Sequence, residues 1–138
     1  MSVFHDRDSD DEDVLRQQFC DWLIANGAKY PKIQWPSTET ESGSRGAVAI
    51  EPIATNEHMV EIPSHLLMSP PNAFADPDVG KELAESENML YGDLLITVFI
   101  MHGLRQGKKS FYSPFLNILP IPGNLCEWSE AEINELQV

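Results

Sequence analysis

The sequence contains no long apolar run and no recognisable targeting segment. A helix that spans a membrane needs about 20 consecutive, mostly apolar residues, and the 138 residues include no such stretch. The first residues lack the basic-then-apolar order of a signal peptide and the arginine-rich, acid-poor character of a transit peptide. We therefore expect no membrane partner and a cytoplasmic or nuclear location.

Basic residues are also scarce. Nine lysines and arginines stand against 22 aspartates and glutamates, which gives a formal net charge of -13. Non-specific binding of nucleic acid needs cations that replace the counterions of the phosphates. We therefore expect no nucleic-acid partner, whereas a protein partner with a basic surface suits this charge.

Cysteine and histidine do not occur at the spacings of metal sites. Cys20 and Cys126 lie far apart without a CxxC pattern, so we expect reduced thiols. His58 and His65 have no further ligands at suitable spacing, so we expect surface histidines and no metal ion. Neither a GxGxxG nor a GxxxxGK[ST] motif is present, which argues against dinucleotide-binding folds and P-loop NTPases.

The residues that are present predict a mixture of helices and short strands, an α+β fold. Residues 1–12 are polar and acidic, and we expect a disordered tail there. Asp13 is a suitable cap for an amphipathic helix that runs to about Asn26 and is closed by Gly27. Short apolar segments bounded by Pro, Asn and Thr predict three strands, near Ile33, Val48 and Met59, with Pro36 ending the first.

The second half of the chain is predicted to be mainly helical. Residues 69–72 favour a turn, residues 80–88 a short helix, and residues 89–104 a central core helix with apolar side chains at helical spacing. Residues 119–122 are expected to be extended. Ser129 and Glu132 form the pattern of a capping box, flanked by the hydrophobic staple of Trp128 and Ile133, so a further helix should begin at Glu130.

One stretch, from Gly43 to Met68, combines a glycine-bearing turn, an apolar strand, an acidic-Pro-Ile connection and the pattern V-x-I-P-x-x-L-L-M. This stretch resembles the opening of SET-domain protein methyltransferases, in particular the subfamily that contains the Rubisco large-subunit and actin-histidine methyltransferases. The resemblance continues in five segments outside this stretch: Phe19–Leu23, Asn26–Ala28, Ser110–Phe115, Ile118–Pro120 and Trp128–Leu136. It covers about residues 14–138, which correspond to roughly the N-terminal third of the family's domain.

The resemblance implies a cofactor, S-adenosylmethionine, and a cofactor-binding turn. The matching positions are Gly43, Ser44, Arg45 and Gly46, whose backbone amides and carbonyls would lie against the methionine-ribose end of the cofactor. Ser44 departs from the family pattern, because it takes the place of the first glycine of the usual Gly-x-Gly.

The implied activity is methyl transfer to a lysine, or alternatively a histidine, of a protein substrate. In SET enzymes an Asn-His segment and a later tyrosine-bearing segment complete the active site, and neither occurs here. We therefore assign no catalytic residue and expect the 138-residue chain alone to be inactive, as the incomplete N-terminal part of a SET domain. The alternative is a non-catalytic acidic module of the same fold that recruits a basic protein.

Overall fold

The computed structural model describes residues 9–37, 46–86, 92–119 and 128–135. These residues contain six α-helices and one pair of antiparallel strands. In chain order the elements are α1 (Ser9–Ala25), β1 (Ile33–Ser37), β2 (Gly46–Ala49), α2 (Pro70–Phe74), α3 (Gly80–Glu85), α4 (Gly92–Gln106), α5 (Ser113–Asn117) and α6 (Glu130–Glu135). Short 3-10 turns cover Ser64–Leu66 and Gly107–Lys109. This mixture of helix and sheet agrees with the predicted α+β class. In the described part of the chain, no helix has the length and apolar character needed to cross a membrane.

Helix α1 begins at Ser9, four residues before the predicted start at Asp13. The extra turn is supported by Arg16, which pairs with Glu12 and Asp13 one turn before it. The predicted tail of residues 1–12 therefore overlaps the helix, and residues 1–8 lie outside the described residues. The helix ends as predicted, because Gly27 adopts a φ of 91°, and the amide of Ala28 donates to the carbonyl of Leu23 at 3.0 Å.

Strands β1 and β2 form an antiparallel pair in which Ile33 faces Ala49, Gln34 faces Val48 and Ser37 faces Gly46. The prediction that Pro36 ends the first strand was wrong, because β1 continues through it to Ser37. The register is irregular between Gln34 and Ser37. Proline has no N–H to donate, and an irregularity in the ladder accommodates it.

The predicted third strand near Met59 does not form. Glu61 makes only an isolated bridge with Lys29, through two backbone hydrogen bonds of 2.8 and 2.9 Å. The chain after Lys29 turns at Pro31, so the ladder has no continuing partner. Met59 and Val60 consequently remain about half exposed.

Helix α4 lies in the middle of the apolar core. Its Phe99 packs edge-on against Tyr112, with the ring centroids 5.6 Å apart, so the aromatic segment Ser110–Phe115 lies beside this helix. The predicted helix at residues 89–104 is confirmed from Gly92 onward, and it continues to Gln106. The buried members of the core cluster are Ala73, Leu83, Leu95, Phe99, Tyr112 and Leu116.

Residues 69–72, predicted as a turn, mostly belong to helix α2. Pro70 and Pro71 occupy the first turn of the helix. The N–H groups of a first turn have no partner within the helix, so prolines, which lack an N–H, are tolerated there. The side chain of Asn72 donates to the carbonyls of Ser64 and Leu67, both at 2.7 Å, and so joins α2 to the preceding segment. The predicted short helix at residues 80–88 is confirmed as α3.

Helix α6 begins at Glu130, as the capping box predicts. The hydroxyl and the amide of Ser129 each donate to Glu132 Oε2 at 2.7 Å, and the amide of Glu132 lies 3.4 Å from the Ser129 hydroxyl. These contacts lower the pKa of Glu132, chiefly through the hydroxyl of Ser129. Of the extended segment predicted at residues 119–122, only Leu119 belongs to the described residues.

Candidate functional site

The predicted cofactor turn is described only at its last residue. Gly46 begins β2, is partly buried and pairs with Ser37 of β1. Gly43, Ser44 and Arg45 lie outside the described residues. In the sequence the predicted turn therefore lies between β1 and β2, and Gly46 is both its last residue and the first residue of β2.

An apolar pocket of about 420 Å³ lies between α1, α4, α5 and the segment that precedes α2. Its walls carry no charged residue and consist of Phe19, Trp22, Leu23, Ile62, Leu66, Leu67, Met68, Ile96, Ile100 and Phe115. Within this set, the indole nitrogen of Trp22 is the one polar side-chain atom, and it is buried without a hydrogen-bond partner. A pocket of this composition suits an apolar side chain better than a charged ligand.

Trp22 packs against the apolar core, and its ring makes several aromatic contacts. Its ring lies 5.8 Å from Phe19, 5.3 Å from Phe111 and 6.4 Å from Tyr112, measured between centroids. These stacked and edge-on arrangements are the favourable geometries for aromatic pairs. The aromatic segment thus joins α1 to the region around α4.

Tyr112 has a structural role in this arrangement. It is 8% exposed, and its hydroxyl lies 3.1 Å from the carbonyl of His65, to which it donates, and 3.4 Å from that of Leu67. Burial raises the pKa of Tyr112, and the negative charge of Asp76 raises it further. A hydroxyl that is buried, engaged with backbone carbonyls and hard to ionise is poorly suited to proton transfer.

Cys20 is free and buried, in agreement with the expected reduced thiol, whereas Cys126 lies outside the described residues. The Cys20 thiol donates to the carbonyl of Trp35 at 3.6 Å. Burial raises the pKa of the Cys20 thiol. Burial also raises the pKa of Tyr30, to about 12, and the neighbouring Cys20 contributes to this shift. The Tyr30 hydroxyl interacts with Cys20 without full hydrogen-bond geometry. Because the thiolate is the reactive form, Cys20 is expected to be unreactive.

The histidines differ in their surroundings. His58 and His65 are exposed, as predicted. His102 lies instead on the inner side of α4, where its Nε2 is 3.9 Å from Asp76 Oδ1 and 3.9 Å from Asp78 Oδ2. These three side chains form the one group of potential metal ligands found within the described ranges.

The sequence analysis missed this group because its members lie on separate elements. Asp76 and Asp78 belong to the connection between α2 and α3, and His102 follows more than twenty residues later on α4. Two local patterns in the sequence nevertheless indicate polar groups that could meet. The Asp-Pro-Asp sequence brings two carboxylates close together, and the four-residue spacing of His102 and Gln106 puts both side chains on one face of the helix.

Comparisons with known proteins gave no relative from which a function could be transferred: no family model, no curated protein and no solved structure matches this chain.

Proposed function

We propose that this chain is the N-terminal part of a SET-type protein methyltransferase that uses S-adenosylmethionine to methylate a lysine or histidine of a protein. The observation that carries the proposal is the position of Gly46. It is the last residue of the glycine-bearing stretch and the first residue of β2, so that in the sequence this stretch lies between the two paired strands. A glycine at this point leaves the backbone open to close approach by a ligand.

The apolar surface of the chain supports the proposal that further residues complete the fold. Exposed apolar side chains can be covered when further parts of a protein pack on them. In this chain the side chains that are about half exposed include Val14, Ile24, Ile50, Met59, Val60, Leu67, Leu94 and Phe111. The apolar pocket beside α1 adds a recess that an apolar side chain could fill.

The proposed chemistry assigns this chain a binding role. S-adenosylmethionine supplies an electrophilic methyl group, which a deprotonated amine or imidazole attacks in line as the bond to sulfur breaks. The turn from Gly43 to Gly46 would hold one end of the cofactor through backbone amides and carbonyls. Residues that position the acceptor, an Asn-His segment and a later tyrosine in this family, would come from outside the 138 residues.

The first test is the size of the native product. We would isolate it with an antibody against residues 46–86, measure its mass, and read the transcript past Val138. We expect a product well above 15.5 kDa that contains an Asn-His segment. A native product of 15.5 kDa that folds cooperatively and binds basic proteins, but not the cofactor, would favour the acidic interaction module instead.

The second test uses the longer form. Gly46→Val should abolish binding of S-adenosylmethionine while the strand is retained, since valine is favourable in strands. Gly92→Ala is a matched control, because a Cβ at Gly92 meets no atom within 4 Å. Binding is measured by calorimetry and folding by circular dichroism. Unchanged cofactor affinity in a folded Gly46→Val protein would contradict the assignment of this turn.

A further inference from the structure

We propose that Asp76, Asp78 and His102 form a binding site for a divalent transition-metal ion, which links the connection between α2 and α3 to helix α4. Each residue offers one ligand atom, and these atoms all lie within 4.8 Å of one another. No metal ion was expected from the sequence, because these three residues do not have the short spacing of a metal-binding motif. The proposal does not depend on the methyltransferase assignment.

His102 provides the observation that distinguishes this group from an ordinary cluster of acidic residues. Its Nε2 is buried and has no hydrogen-bond partner, although the nitrogen lies between two carboxylates. A buried polar atom without a partner is unfavourable, and native structures contain few of them. A metal ion bound to the lone pair of neutral Nε2 would satisfy this atom.

The distances between the ligand atoms are close to those of a metal site. With metal–ligand bonds of about 2.1 Å, two ligand atoms in a tetrahedral site lie about 3.4 Å apart. His102 Nε2 lies 3.9 Å from Asp76 Oδ1 and 3.9 Å from Asp78 Oδ2, and all the ligand atoms lie within 4.8 Å of one another, so the three groups must move closer together to complete the site. Rotation of the Asp78 side chain, which is 62% exposed, can supply the movement of that carboxylate.

Hydrogen bonds orient both aspartates, and the bond to Asp78 comes from α4. Asp76 Oδ1 accepts the backbone amides of Asp78 at 2.9 Å and Val79 at 3.1 Å, which fixes the turn. Gln106 Nε2 donates to Asp78 Oδ2 at 2.6 Å. Metal-binding carboxylates are commonly oriented by such outer partners. Gln106 lies one helical turn after His102, so a single face of α4 supplies both groups.

The ligand set indicates the class of ion. One imidazole nitrogen with two carboxylates suits Zn²⁺, Co²⁺, Ni²⁺ or Mn²⁺, whereas Ca²⁺ and Mg²⁺ prefer oxygen ligands throughout. Exposure of Asp78 leaves room for water at the remaining coordination positions. Because the ligands belong to two separate elements, the bound ion would act as a cross-link and stabilise the folded form.

The test is a titration of the 138-residue protein with Co²⁺, which serves as a coloured substitute for Zn²⁺. We expect saturable binding of one ion, d–d bands without an intense thiolate charge-transfer band, and a melting temperature that rises with added Co²⁺. The absence of a thiolate band excludes the cysteines as ligands. A protein that shows no saturable uptake, or only a thiolate-type spectrum, would overturn the proposal.

Three variants make the test specific. His102→Gln should remove the Co²⁺ bands, and Asp78→Asn should weaken binding by about tenfold or more. His58→Gln is the matched control, because it removes an exposed histidine elsewhere and should bind as the unaltered protein does. Asp78 is largely exposed, so its variant is expected to fold even if His102→Gln does not. Equal affinity of Asp78→Asn and the unaltered protein would refute the site.

Discussion

In the helical region, formed by α2 to α5, a cluster of apolar side chains is buried, although Leu94 and Met101 are exposed. In the strand region, which comprises the described residues from 29 to 62, many apolar side chains are half exposed. Leu95 and Phe99 of the helical region are each 2% exposed. Ile50 and Met59 of the strand region are 55% and 52% exposed. The apolar contribution to stability scales with the area removed from water, so the helical region should supply most of it.

Polar contacts hold the strand region instead. Lys32 pairs with Glu57 and also donates to the carbonyl of Pro52 at 2.9 Å, across the turn that follows β2. A second ion pair joins Lys29 to Glu61 beside the isolated backbone bridge. Ion pairs in contact with solvent contribute little and are weakened by salt. The two regions should therefore respond to different perturbations.

This difference bears on the proposed function. The strand region contains Gly46, the described end of the proposed cofactor turn, and it has little apolar packing of its own. A region of low local stability is where conformational opening is easiest. We infer that cofactor binding, or contact with further parts of a longer chain, would stabilise the strand region more than the helical region.

The largest expected effect comes from opening the apolar core. Phe99→Ala should lower the free energy of unfolding by about 3–5 kcal/mol, because it removes a buried ring that packs against Tyr112. Ile50→Ala, an apolar truncation in the strand region, should lower it by less than about 0.5 kcal/mol. Urea denaturation measures both. Losses of equal size would mean that the two regions do not differ in the way described.

A glycine comparison gives a smaller effect within the helical region. A Cβ on Gly80 would lie 2.3 Å from the carbonyl oxygen of Phe74, so the backbone of α2 must shift. Gly80→Ala should therefore destabilise the protein by about 1–3 kcal/mol. Gly92→Ala, with nothing within 4 Å of the new Cβ, should cause no loss. Thermal unfolding of both variants tests this, and an unchanged melting temperature for Gly80→Ala would show that α2 and α3 are not tightly packed.

The sequence predicted most helices because their signals are local. The Schellman ending at Gly27 and the capping box at Ser129 depend on residues within a few positions of each other, and both are present. The predicted start of α1 was too late, because Arg16 pairs with Glu12 and Asp13 and so stabilises a turn that the cap pattern at Asp13 does not indicate.

Errors concentrated where long-range pairing decides the structure. The apolar run at Met59 has the composition of a strand, but the partner segment turns at Pro31 after one bridge. Sequence periodicity cannot show whether a partner continues. For the same reason the sequence did not predict the proximity of His102 to Asp76 and Asp78, because this proximity results from the packing of α4 against the α2–α3 connection. The assignment of the cofactor turn stays a prediction.

The smallest effect concerns the polar contacts of the strand region and their dependence on pH. The pKa of Glu57 is lowered, first by the amide of Ala54, which donates to its carboxylate at 2.8 Å, and then by Lys32. A carboxylate whose pKa is lower in the folded state stabilises that state above its unfolded pKa, near 4.5, and loses this contribution as the pH falls through the folded value.

Glu57→Gln should therefore be less stable than the unaltered protein at pH 7, and the difference should shrink as the pH falls below 4.5. Glu51→Gln, at an exposed carboxylate of the same segment, is the control and should show no such convergence. Urea unfolding across this pH range measures the differences. Because the contact is exposed, added salt should reduce the effect, whereas the loss caused by Phe99→Ala should not decrease with salt. A Glu57→Gln deficit that stays constant with pH and salt would mean that packing, and not charge, holds this segment.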